Sequence, residues 1–395
     1  MTAPKRTEYI VSWLLLPAVM APASALALGI RIPDQDPAAT ARGNAFTATA
    51  DDPAAIYYNP AGITQLSGSQ VQVGTYAVWL DSRYTAGGAA FDTTDRIQAV
   101  PQIYYTYSPP SIPLSFGLGF YSPYGLSLQW PDNTPFRTVG TQGELTYLTL
   151  NPVVAWRVNS QLSIAAGPTL NYSEADLRKG LFLPGDQFRF KGDDTAAGYN
   201  VGLRWQPLAQ WAFGATYRSE TTLDYRGTSQ AIPYAPPGNA SARFAFPQDV
   251  TVGLSFRPTP NWNLEFDVDW TDWSRLQTVT INQAVPAAIP FNWRSSFMYE
   301  WGVTRSFANG YSLSAGYMFS QNSVPAQDFT PLVPDSDRHI FSAGIGRKYR
   351  HLGWEAAYQF AYGPPRTVVS PGNPAANGTY RFLSHALTVS LGYSF

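Results

Sequence analysis

The sequence predicts an all-β chain, a fourteen-stranded antiparallel transmembrane β-barrel with a small helical N-terminal hatch plugging its lumen. Two patterns carry this. From Ser69 to Phe395, segments that alternate apolar and polar residues follow one another, and the connectors between them are short, then long, in strict succession.

The alternation is clearest in Trp262, Leu264, Phe266, Val268 and Trp270, interleaved with Asn263, Glu265, Asp267, Asp269 and Thr271. A period of two makes one face apolar and the other wet. The last segment repeats it, with Leu387, Val389, Leu391, Tyr393 and Phe395 on one side and Thr388, Ser390, Gly392 and Ser394 on the other. A soluble sandwich also alternates, so the connectors decide. Tight links are expected at Ser108 to Ile112, Val158 to Ser160, Pro207 to Ala209, Arg257 to Pro260, Phe307 to Gly310 and Lys348 to Leu352. Long loops are expected at Asp81 to Asp95, Gln129 to Thr141, Ala175 to Asp193, Gly227 to Phe246, Asp272 to Asn292, Gln321 to Asp337 and Gly363 to Thr379. Short periplasmic turns and long outer loops are the asymmetry of outer-membrane barrels, and a sandwich has no reason to keep it.

Length and composition agree. Each strand with its connector has roughly 23 residues, enough for the ~9–11 that a tilted strand needs to cross the hydrocarbon. Aromatics are 15% and charged residues only 13% of the chain, which suits interfacial girdles and a lipid-facing wall. The net charge of −1, without basic clusters, argues against nucleic acid. With no cysteine there is no disulfide, thiolate metal site, cysteine nucleophile or lipidated N-terminus.

Residues 1–27 read as a signal peptide. Lys5 and Arg6 are basic, Tyr9 to Met20 is an apolar run too short to span a membrane, and Ala25-Leu26-Ala27 offers cleavage after Ala27 or Ala25. Residues 28–68 do not alternate. They are rich in alanine and stopped by Asp-Pro and Asn-Pro, as short helices ending in turns would be. A barrel of fourteen strands is too wide for its own side chains to fill, so this segment is expected to plug it, with residues 69–395 forming the barrel.

Here the residues become specific. The run Asp51 to Gly62, containing Asn59-Pro60-Ala61-Gly62, resembles the hatch of the FadL/OmpP1/TodX family of outer-membrane long-chain fatty-acid and hydrocarbon transporters. Matching runs follow along the chain: Ser122 to Leu126, Gly198 to Leu203, Tyr217 to Glu220, Trp270 to Ser274, Ser323 to Pro325 and Pro334 to Arg338. The resemblance implies passive uptake of a hydrophobic ligand by loop capture, lumen binding, hatch rearrangement and lateral exit through the wall. It also implies site residues. The capture groove falls on Leu181, Phe182, Leu183, Phe188 and Phe190 in one loop and Ile232, Tyr234, Phe244 and Phe246 in another. The competing reading is that these aromatics only pack the loops on each other. Arg178, after the fifth strand, and Arg294, at the start of the tenth, match residues that contact a fatty-acid head group in the family. Alternatively they pair with acids such as Glu174, Asp176 or Asp269. Ser122, Pro123, Tyr124 and Gly125 interrupt the third strand, where proline removes a ladder donor. In the family this is an inward kink that opens a lateral gate, and an ordinary β-bulge is the alternative.

Catalysis has little support. His339, His351 and His385 are scattered, no metal-ligand spacing or nucleophile elbow occurs, and Ser384 and His385, adjacent on a strand, must face opposite ways. No cofactor or metal is expected. The expected partners are a long-chain fatty acid or other hydrophobic molecule, outer-membrane lipid and lipopolysaccharide, and the barrel assembly machinery through the C-terminal strand ending in Phe395. Among the alternatives are an aromatic-hydrocarbon or alkane channel and a general porin, and a monomer is expected.

Overall fold

A computed structural model describes residues 29–94 and 97–395. The signal peptide expected over residues 1–27, with its cleavage site, falls outside the described residues. Fourteen strands close into one antiparallel barrel. In chain order they begin with β1 (Gly68–Ala86), β2 (Ile97–Ser108), β3 in two pieces (Leu114–Tyr121 and Gly125–Gln129) and β4 (Gln142–Arg157). There follow β5 (Leu162–Lys179), β6 (Gln187–Leu208), β7 (Trp211–Arg218, continued by Thr221–Ile232) and β8 (Ala235–Phe246, continued by Asp249–Thr259). The circuit ends with β9 (Trp262–Thr271), β10 (Ser296–Ser306), β11 (Tyr311–Ser320), β12 (Arg338–Tyr349), β13 (Leu352–Val368) and β14 (Gly378–Ser394). Closure joins β1 to β14 from Gln70 opposite Ser394 to Thr85 opposite Thr379. Pairing the first strand with the last removes both of their free edges from lipid, where an unpaired backbone group has no partner.

The wall is inside out relative to a soluble protein. On β9, Leu264 and Phe266 are exposed while Glu265, Asp267 and Asp269 are buried toward the lumen. Outward aromatics stack along the wall: His339 lies 5.2 Å from Tyr362 and 6.2 Å from Tyr317, and Trp79 lies 5.4 Å from His385. Such rings suit the membrane interface, where one part is apolar and another wet.

The connectors alternate as expected, but two of the long ones are largely strand. The stretch Gly227 to Phe246 continues the β7–β8 hairpin, paired from Thr221–Phe246 up to Ala231–Ala235. The stretch Ala175 to Asp193 shrinks to 180–186, because β5 and β6 pair up to Lys179 opposite Phe188. Above the bilayer no lipid selects an apolar face, so strand there carries no alternation to read.

Residues 29–67 cross the lumen. Helix α1 (Pro37–Ala41) is capped by the Asp36 side chain and touches β11, β12 and β13. Helix α2 (Ala55–Tyr58) leads into a 3-10 turn, Pro60–Gln65, capped by the Asn59 side chain and resting on β4, β5 and β6. Ala39, Ala48, Ala50, Ala54, Ala55 and Ala61 are fully buried. Small residues on the segment meet glycines on the wall. A Cβ at Gly302 would come 2.6 Å from the Arg42 carbonyl, and one at Gly316 would collide with the backbone of Arg42 and Gly43.

Candidate functional site

The acids of β9 hold the lumenal segment. Asp267 accepts the Phe46 and Thr47 N–H groups at 3.0 and 2.8 Å, and Glu265 accepts those of Ala48 and Thr49 at 2.7 and 3.1 Å. Glu265 also pairs with Arg42 at 2.8 Å and accepts the Thr49 hydroxyl. Asp269 pairs with Arg31 at 2.5 Å, and Asp249 lies 3.3 Å from both Arg31 and Arg218. Buried charges persist only when paired and hydrogen-bonded. Asn59 donates to the Thr47 and Leu203 carbonyls at 2.8 and 2.9 Å, with Pro60 and Gly62 buried beside it. The Asn59–Gly62 run therefore ties the segment to itself and to β6.

β3 breaks where the sequence places Pro123. Its first piece pairs with β2 only from Ile103–Phe120 to Tyr107–Phe116, and the second pairs with β4 but with no registered residue of β2. Ile97 to Gln102 of β2 thus face a gap in the ladder, bridged near its outer end by Thr94 N–H to the Gln129 carbonyl at 2.9 Å and Gln98 to Ser127 at 2.9 Å. From inside, the segment supplies the missing pairing. Ile32 N–H donates to the Pro123 carbonyl at 2.8 Å, Gly125 N–H to the Ile30 carbonyl at 3.0 Å, and Gln35 to the Ser122 carbonyl at 2.7 Å. The kink turns Tyr124 inward, 3% exposed, against Tyr147, Phe246 and Trp273. Its hydroxyl donates to the Pro247 carbonyl at 3.2 Å.

A cavity of about 330 Å³ lies along this gap, lined by Ile30, Ile32, Val100, Leu126 and Phe382 among others. Arg338 lines it too. Its guanidinium sits 4.0 Å above the Phe382 ring and 3.1 Å from Asp335, while its Nε has no partner among the described residues. Burial raises the Asp335 carboxyl above the ordinary range, against the opposing pull of Arg338 and the Gly29 N–H. Arg338 carried no role in the sequence reading, although it ends one of the matching runs. Distance from the gap is not written in sequence.

The loop residues separate into two layers. Phe182 and Leu183 are 81% and 62% exposed, and Tyr234, half exposed, meets Phe182 edge-on at 5.7 Å. Leu181 joins them at the tip, whose loop is organised by Asp186. That carboxylate accepts the N–H groups of Leu181, Phe182 and Leu183 at 2.6–2.7 Å and the Tyr234 hydroxyl at 3.1 Å. Burial alone would raise its pKa, but these amides and Arg137 hold it well below the usual range. Phe188 and Phe244 are half-buried below, and Phe190 and Phe246 are buried in the apolar cluster that reaches down to Tyr124. The exposed apolar face is therefore smaller than the sequence implied. Arg178 lies within β5 rather than after it, and Asp176 occupies its fork with two 3.1 Å bonds. Arg294 is exposed ahead of β10, and its guanidinium has no hydrogen bond or ion pair among the described residues. The histidines stay apart, and Ser384 is buried while His385 faces outward to Tyr358 at 2.6 Å.

A fourteen-stranded barrel with a lipid-facing apolar wall and an occupied lumen is an outer-membrane transport protein of the plugged kind. The model of the outer membrane protein transport family (OMPP1/FadL/TodX) matches residues 18–358, and the chain belongs to that family. It is 26% identical to a putative outer membrane protein of Neisseria meningitidis serogroup B, over 97% of each chain. It is 23% identical to a long-chain fatty acid transport protein of Escherichia coli O6:H1, over 75% of this chain and 78% of that one. Among solved structures it is similar to a Pseudomonas aeruginosa FadL homologue, with TM-score 0.85, 18% identity and coverage of 93% of this chain and 100% of that one. It is also similar to the Pseudomonas putida toluene transporter TodX, with TM-score 0.75, 17% identity and coverage of 94% and 100%.

Proposed function

We propose that the protein passively admits long-chain fatty acids or similar hydrophobic compounds, which leave the lumen sideways through the gap between β2 and β3. The observation that carries this reading is the interrupted ladder at Ser122–Gly125, covered from inside by Ile30–Ile32 and Gln35 and flanked by the apolar cavity. Ligand gathers on Leu181, Phe182, Leu183 and Tyr234, passes the cluster of Phe188, Phe190 and Phe244, and reaches the cavity. Residues 28–68 act as the hatch. Withdrawing Ile30–Ile32 unpairs Pro123 and Gly125 and widens the opening, and no bound energy source is needed because the ligand moves down its own gradient. A fatty acid is favoured by the curated relatives named for it and by two arginines with unused donors, Arg294 and Arg338. A small aromatic is the second reading, favoured by a cavity near the ~300 Å³ lower bound for ligand pockets. The filled lumen argues against a general porin, and the separated histidines against an enzyme.

The test is to replace Pro123 and Gly125 with valine. The Cβ at position 125 would come 2.8 Å from the flexible end of Ile32, so the strand straightens against a side chain that can yield. The variant is expected to insert, resist heat and bind ligand at the loops, yet to lose uptake by intact cells. Normal uptake with a straightened strand refutes the lateral route.

A further inference from the structure

On the periplasmic side of the lumen, three carboxylates meet. Oxygen atoms of Asp36, Asp52 and Glu355 lie within 4.8 Å of one another. They come from the cap of α1, the residues before α2, and the start of β13, so no sequence spacing announces them. Each hatch acid is fixed in place locally, Asp36 by the Ala39 N–H at 2.9 Å and Asp52 by the Ala54 N–H at 2.8 Å. Glu355 has no hydrogen bond or ion pair among the described residues.

A fourth group reaches in from β1. Gln72 is 6% exposed and its Nε2 donates to Asp36 Oδ1 at 2.6 Å, while Oε1 of the same amide has no partner among the described residues. Gln72, Asp52 and Glu355 line one cavity of about 240 Å³, together with Lys348, Arg350 and His351 of the short β12–β13 turn. The cavity gives solutes on the short-turn side a way to the carboxylates.

We propose that Asp36, Asp52, Glu355 and Gln72 bind a hard divalent cation, calcium by their chemistry, which clasps the hatch to the barrel wall. Carboxylates placed this close cannot all stay ionised unless a cation lies between them; without one, at least one of them takes up a proton. Among the described residues no basic side chain comes within 4.0 Å of these three. Lys348 on the rim of the cavity offsets one negative charge, and a divalent ion offsets the other two. All four donors are oxygens, the set that hard cations take. Calcium accepts 6–8 oxygens in irregular arrangements, completed here by water from the cavity, whereas magnesium demands near-octahedral geometry that donors from four segments do not supply. Bound calcium joins both hatch helices to β1 and β13, and its loss loosens the plug without touching the strand ladder.

The experiment is calcium titration calorimetry on the full-length barrel in detergent after chelator treatment. Wild type is expected to bind one calcium per chain saturably. Glu355→Gln and Asp52→Asn, which keep shape and remove charge, are expected to weaken it ten-fold or more, and Asp224→Asn, at an exposed carboxylate, to leave it unchanged. Heat-modifiable gel mobility reports that each barrel is folded. Calcium is also expected to slow amide exchange at Ala39 and Ala54 in wild type and not in Glu355→Gln. Absence of a one-to-one site in wild type, or equal binding by Glu355→Gln, overturns the proposal.

Discussion

Truncating Glu265 to alanine is expected to undock the hatch while leaving the barrel intact. The carboxylate is fully buried and holds four groups of residues 42–49: the guanidinium of Arg42, the N–H groups of Ala48 and Thr49, and the Thr49 hydroxyl. Removing one partner of a buried ion pair costs about 3–5 kcal/mol, most of it from the charge left behind. Each orphaned amide adds about 1–3 kcal/mol where water cannot reach it. Water can enter a lumen, so the ion-pair figure is the better guide to the whole effect. At 1.4 kcal/mol per factor of ten, 3–5 kcal/mol raises the undocked population about a hundred- to a few-thousand-fold. Amide exchange read by mass spectrometry should show the 46–49 amides losing protection by that factor, and planar bilayers should show new conductance to small polar solutes. Gel mobility should stay that of a folded barrel, because the ladder does not pass through Glu265. Glu220→Ala, which removes the half-buried partner of Arg275 far from the lumenal segment's amides, should do none of this. Unchanged protection at 46–49 in Glu265→Ala would refute the view that β9 holds the hatch.

For the ligand, Arg294→Ala and Arg338→Ala should each weaken binding of a fatty acid by about 1.5–3 kcal/mol, the range for a charged hydrogen bond, and leave a neutral hydrocarbon nearly unaffected. Isothermal titration with both ligands checks this, and equal losses would assign these arginines to structure. The order of the outer loop should depend on pH through Asp186, whose folded pKa is depressed. Its stabilising effect is present above the ordinary carboxylate pKa of about 4 and fades only as pH falls through the lower folded value, so protection of amides 181–183 should be flat from pH 7 to 5 and lost in stronger acid. Asp186→Asn should abolish that protection at neutral pH. Finally, a cysteine at Gly238, where a Cβ meets nothing within 4 Å, should react with an impermeant maleimide on intact cells, and one at Asn309 should not.

What the sequence by itself determined is what local chemistry encodes. Period-two alternation depends on neighbours along one strand, so the wall, its lipid-facing residues and the inward aim of Glu265, Asp267 and Asp269 were legible. So were the alternation of short and long connectors and the break at Pro123, because proline cannot donate to a ladder wherever it sits. Only the tertiary structure decided what those inward groups meet. Glu265 and Arg42 are 223 residues apart, and no pattern along the chain says which lumenal acid faces which hatch amide. The same holds for Arg338 beside the gap, and for Asp36, Asp52, Gln72 and Glu355, gathered from four segments. The capture loops were half legible for a related reason. Their apolar residues could be counted, but whether Phe182 is exposed and Phe190 buried depends on how β5 and β6 pair beyond the membrane, where no lipid imposes alternation. A barrel writes its walls in local periodicity, because each strand meets the same bilayer. Its lumen is assembled from long-range contacts that closure alone brings together.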